Sequence, residues 1–138
     1  MQNNKIAVIG EDKKFIFEIE DILLMGGYAP ILVMDPLSAD DVVMQHKPDV
    51  VLMELQMKRG NGFELTATLN RVFEARRIPI IAMSEFLKDE FLGLMNLCGI
   101  RKLLRKPFQP LDIIWAIESE IVSSHPCGKL ELSGSRCL

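Results

Sequence analysis

Five short apolar runs recur along the chain, at residues 5–9, 29–34, 49–53, 78–83 and 101–104, each rich in Ile, Val or Leu. None is long enough for an ordinary helix. The first, third and fourth are almost uninterruptedly apolar, as strands become when both faces of a parallel sheet are covered. Between the runs lie longer stretches with helical spacing. Phe15, Ile16, Ile19, Ile22 and Leu23 recur at helical intervals before Gly26-Gly27, a C-terminal stop. A second helix is predicted after Asp35-Pro36 with Val42 and Val43 inward, and a third after Gly62 with Phe63, Leu65 and Leu69. The fourth follows Ser84 and ends at Cys98-Gly99, and the fifth runs from near Pro110 to about Val122.

Alternation of strand and helix with short connections predicts an open parallel sheet between two helical layers, joined by right-handed crossovers. Ligands and chemistry in such a fold sit beyond the carboxyl ends of the strands. The residues to weigh are therefore 10–12, 54–62, 84–85 and 104–108. After Val122, the stretch Ser123-Ser124-His125-Pro126-Cys127-Gly128 breaks any helix. Residues 1–122 are read as one domain and 123–138 as a tail.

With 138 residues, 49% hydrophobic and 25% charged, the chain has enough material for a sizeable core. A net charge of −3 gives no electrostatic reason for nucleic acid or an anionic membrane as the main partner. The first apolar run is too short for a signal-peptide core and no later one approaches a membrane span, so a cytoplasmic location is expected. The three cysteines have no paired metal-ligand spacing, and Cys98 reads as a buried small hydrophobe. Most methionines (Met25, Met34, Met44, Met53, Met57, Met83, Met95) read as core filler, and His46 as an exposed loop residue.

Glu11, Asp12, Glu54, Ser84 and Lys106 all fall at strand ends. Carboxylates gathered at one pole of a sheet repel one another unless a cation lies among them. Either Mg²⁺ or the ammonium of Lys106 meets that need, and Ser84 adds a hydroxyl that donates to an anion.

These residues carry a resemblance. The run from Lys5 to Gly10-Glu11-Asp12 resembles the first strand and acidic corner of a response-regulator receiver domain. Pro48-Asp49-Val50-Val51-Leu52-Met53-Glu54 is similar to the strand that ends in the phosphorylated aspartate. Gly60-Asn61-Gly62-Phe63-Glu64-Leu65 resembles the loop that follows it. Ile78-Pro79-Ile80-Ile81-Ala82-Met83-Ser84 matches the strand with the hydroxyl residue, and Gly99 and Lys106-Pro107-Phe108 match the lysine turn. The likeness spans residues 4–122 in register. It implies a flavodoxin-like α/β fold: a doubly wound, five-stranded parallel sheet in the order 2-1-3-4-5. It further implies a cis Lys106-Pro107 bond and a non-enzymatic signalling role in a two-component phosphorelay. The implied partner is a protein, a kinase or an output protein.

The departures are as informative. Two adjacent acids hold Mg²⁺ in the family, and here the positions are Gly10 and Glu11. Glu54 stands at the phosphoacceptor position, with its carboxylate about a bond length further out, and in-line transfer is sensitive to such shifts. The aromatic that the family couples to its hydroxyl residue is here Leu103. The expectation is a pseudo-receiver without a cofactor that acts by protein–protein interaction. The alternative is a phosphorylatable receiver using Glu54, with Mg²⁺ on Glu11 and Asp12. Two roles for Glu54 stay open, a permanent imitation of the phosphorylated state and a structural salt bridge with Lys106. An unrelated cofactor binder on the same fold lacks support, because Gly10-Glu11-Asp12-Lys13 puts acids where a phosphate cradle needs free amides. On the last helix the apolar residues span about half the circumference, against the ~100° stripe that a core requires. The resemblance assigns Ile113, Ile114, Ile117 and Ile121 to the core, which leaves Leu111, Trp115 and Val122 as a second stripe. They mark a face for a homodimer, a partner or the folded-back tail.

Overall fold

The computed structural model describes residues 4–58, 65, 78–85 and 100–123. Five strands, β1 (Lys5–Ile9), β2 (Ala29–Val33), β3 (Val50–Glu54), β4 (Ile80–Ser84) and β5 (Ile100–Arg105), form one sheet. The order is β2-β1-β3-β4-β5 and every neighbouring pair is parallel. That is the fold and strand order expected from the sequence. β3 and β4 begin and end a little later than their apolar runs, so Glu54 and Ser84 are the last residues of their strands.

Helix α1 (Lys13–Met25) starts where the Asp12 carboxylate accepts the Phe15 N–H at 3.3 Å, satisfying one of the amides that a helix start leaves bare. Gly27, in the left-handed region at φ 86°, turns the chain out of it. Asp35 opens a 3₁₀ turn over Pro36–Ser38, which leads into α2 (Ala39–His46). His46, expected in a loop, is instead the exposed last residue of α2. The last helix, α3 (Pro110–Ser123), returns along the sheet. The helices predicted after Gly62 and Ser84, including Phe63, Leu69, Met95 and Cys98, lie outside the described residues, as does the tail beyond Ser123.

The two-residue period of each strand sorts its side chains between two layers. Ile6, Val8, Val50, Leu52, Ile81 and Met83 point toward α1 and α3, where they meet Ile16, Ile19, Leu23, Ile113 and Ile117. Ala7, Ile9, Val51, Met53 and Ile80 point the other way, against Ala39 and Val43 of α2. The methionines divide: Met53 and Met83 are buried, whereas Met25 and Met44 are exposed on helix surfaces. The expectation of methionine as core filler is therefore too broad, because thioethers are tolerated on either side of an amphipathic helix. On α3, Ile113 and Ile117 are fully buried and Ile114 and Ile121 partly so, as the resemblance implies. Glu120 is buried too, its carboxylate 3.5 Å from Lys102 Nζ.

Tyr28, the single tyrosine, is buried at the edge of the α1–α3 layer. Burial, then the charge of Glu118 and a hydrogen bond with it, push its phenol above the ordinary 10.0. A raised folded-state value means that the unfolded chain deprotonates first as pH rises past 10.0. This contribution to stability is therefore whole below that pH and is lost above it. Phenolate absorbance should appear at higher pH in the folded protein than in urea. Equal titration midpoints in the two states would contradict the assignment.

Candidate functional site

Because all strands are parallel, the ends of β1, β3, β4 and β5 bring Gly10, Glu11, Glu54, Ser84 and Lys106 to one pole. Ladder hydrogen bonds hold their backbones there: Gly10 N–H donates to the Val33 carbonyl at 3.1 Å and Lys106 N–H to the Ser84 carbonyl at 2.8 Å. Strand alternation, carried one step past the strand ends, aims Gly10, Glu54 and Lys106 to the face that α1 covers.

Glu54 is 5% exposed, and its Oε2 lies 2.7 Å from Lys106 Nζ. Its other oxygen accepts the Glu11 N–H at 3.1 Å. Both oxygens thus have a donor, and the charge-assisted bond to the ammonium is short. The ring of Phe15, one turn into α1, lies 3.7 Å from the same ammonium. Lys106 is therefore held between a carboxylate and an aromatic face. Phe108 meets Phe15 edge-on, with centroids 6.0 Å apart. Phe15, Lys106 and Phe108, with Glu18, Ile19, Ile22, Glu85 and Pro107, line a cleft of about 460 Å³. The Lys106-Pro107 bond is cis, as the resemblance implies.

Ser84 Oγ donates to Gln56 Oε1 at 3.0 Å. Leu103 is partly buried against the small cluster of Leu55, Ala82 and Ile100. The Glu11 carboxylate accepts the backbone N–H of Lys58, which ties the chain after β3 to the chain after β1. Asp12 is exposed and serves as the cap of α1. Leu111, Trp115 and Val122 stand 77%, 58% and 53% exposed on α3, and Lys102 Nζ lies 5.3 Å from the Trp115 ring centroid.

Phe15 and Gln56 are the contacts that sequence reasoning misses. Phe15 fits the apolar period of α1 and so reads as core. Its place in the first turn, beside the sheet pole, is the available signal. Gln56 follows Glu54 by two residues in a loop without apolar periodicity, and nothing in the sequence pairs it with Ser84.

An open sheet with an acid ending its third strand, a hydroxyl ending its fourth and a lysine after its fifth is the arrangement of a phosphorelay receiver. Residues 6–118 match the model of the response regulator receiver domain, and the chain belongs to that family. The polar-differentiation response regulator DivK of Brucella anthropi is 34% identical over 116 residues, which cover 83% of this chain and 94% of that protein. DivK of Brucella ovis is similar to the same extent. Among solved structures, the Vibrio cholerae chemotaxis protein CheY4 superposes with a TM-score of 0.81 at 18% identity, covering 86% of this chain and 98% of that one. The receiver domain of the Pseudomonas aeruginosa histidine kinase PA1611 does so with 0.78 at 22% identity, covering 87% and 98%. That domain carries a magnesium ion coordinated in its active-site cleft.

At this pole the described carboxylates have other partners: Glu11 accepts the Lys58 N–H. Gly10 brings no carboxylate, Glu54 spends one oxygen on Lys106, and Asp12 is turned to the helix start. Among the described residues no group of three or more His, Cys, Asp or Glu is placed to hold a metal ion. Nor is any helix among them long and apolar enough to cross a membrane.

Replacing one partner of the Lys106–Glu54 pair tests its burial. Lys106→Met strands a carboxylate away from water and should cost about 3 kcal/mol in urea unfolding at neutral pH. Lys106→Met with Glu54→Met removes both charges and should recover most of that loss. A single variant as stable as wild type would show that the pair contributes nothing.

Proposed function

We propose that this receiver module does not take a phosphoryl group in the usual way and signals through protein–protein contact. The observation that carries the reading is the Glu54 carboxylate, buried and bound at once to Lys106 Nζ and the Glu11 N–H. Both are donors of the kind that an incoming phosphoryl oxygen would use at this pole, beside the Ser84 hydroxyl. With both taken, the lysine is neutralised and the pole is fixed in one state by a bond within the chain. The result is a constitutive receiver surface, read by a kinase or an output protein in the cytoplasm.

Leu111, Trp115 and Val122 support a contact face on α3, since large apolar side chains gathered on one helix face mark interaction surfaces. The reading includes a homodimer through this face. Sedimentation equilibrium of the wild type should then give a dimer, and Trp115→Glu should shift it to monomer with unchanged thermal stability. A wild type that stays monomeric at high concentration would remove the dimer from the reading.

Acetyl phosphate with Mg²⁺ provides the test of the chemistry, read by intact-mass spectrometry. Wild type should show no phosphoryl adduct, and Glu54→Asp alone should gain little because the cation site still lacks an acid at position 10. Gly10→Asp with Glu11→Asp and Glu54→Asp should restore labelling. An adduct on the wild type that disappears in Glu54→Gln would overturn the proposal and establish Glu54 as an acceptor.

A further inference from the structure

Gly10 is glycine for a reason that lies in its neighbour. β1 and β3 pair with Ile6 opposite Val50 and Ile9 opposite Met53, so the next rung of the ladder sets Gly10 beside Glu54. A Cβ on residue 10 would lie 2.3 Å from Glu54 Oε1 and 3.0 Å from Glu54 Cδ, closer than non-bonded atoms approach. The remaining near contact, Ile16 Cδ1 at 2.8 Å, is the end of a side chain buried in the core. Backbone conformation makes no such demand, because the positive-φ glycine among the described residues is Gly27, not Gly10.

We infer that Gly10 and Glu54 form one matched unit: the missing side chain at position 10 makes the room in which the longer acid at position 54 becomes the pole's own permanent ligand. The unit rests on the reading of the pole as filled by the chain's own carboxylate. It adds a positioning residue, Gly10, that acts only through Glu54. Neither residue can be exchanged alone without loss. A side chain at position 10 pushes the carboxylate off Lys106 and the Glu11 amide. A shorter acid at position 54 withdraws from those donors and leaves space beside Gly10.

A double-mutant cycle on the full chain measures the coupling. Gly10→Ala is introduced into wild type and into the Glu54→Asp background, and the folding equilibria are compared by urea unfolding. In wild type the substitution should lower the folding constant by more than about tenfold, and in the Glu54→Asp background the penalty should be about tenfold smaller, the scale expected for side chains in contact. The Ile16 contact is common to both backgrounds and cancels. Should Gly10→Ala alone fail to fold, a folded Gly10→Ala/Glu54→Asp protein supports the unit by itself. Equal penalties in both backgrounds, or failure of both Gly10→Ala proteins to fold, would overturn it. A phosphoryl adduct on the wild type would defeat the proposed function instead, while leaving this coupling to be decided by the urea data.

Discussion

The pole of this domain is organised by the bond between Lys106 and Glu54, 2.7 Å long and largely shielded from water. Two charges taken out of water are costly, and their attraction offsets that cost only when the geometry is good and the remaining polar atoms are satisfied. Here the second carboxylate oxygen has the Glu11 amide and the ammonium has the Phe15 ring. Removing any one partner leaves the others poorly placed. The bond also spans the sheet: it joins the end of β3 to the turn after β5, passing over β4 between them.

That constraint explains a set of neighbouring choices that look unrelated one at a time. Gly10 clears the space that the carboxylate needs. The Glu11 carboxylate accepts the Lys58 N–H and so has a donor of its own. Asp12 is committed to the start of α1, and that cap also fixes the first turn on which Phe15 sits. Ser84 and Gln56 bond to one another on the neighbouring strand end. In a receiver that cycles, such groups have to rearrange around an incoming phosphoryl group.

Periodicity makes most of the fold legible. Uninterrupted apolar runs such as Val50–Met53 within β3 fit strands covered on both faces, and their alternation with helical stretches makes them parallel. On α3 the apolar residues span too much of the helix for period alone to choose a face. The resemblance to the receiver family assigns Ile113, Ile114, Ile117 and Ile121 to the core, and that face is the one turned inward. Pattern fails where a side chain suits two environments. Met25 and Met44 fit a core by composition and are exposed, whereas Glu120 fits a surface and is buried beside Lys102.

The sequence by itself determined which residues reach the pole, because parallel strands of known order must bring Gly10, Glu54, Ser84 and Lys106 to the same end. The resemblance to the receiver family adds that the acid at position 54 is a methylene longer than the family's and that position 10 has glycine in place of an acid. That positions 10 and 54 face one another at all is something that only the tertiary structure decided. Residues 10 and 54 lie far apart in the chain and become neighbours solely through the register of β1 on β3. Side-chain period tells which face a residue takes; it carries no information about which atom on the adjacent strand fills the space beside it.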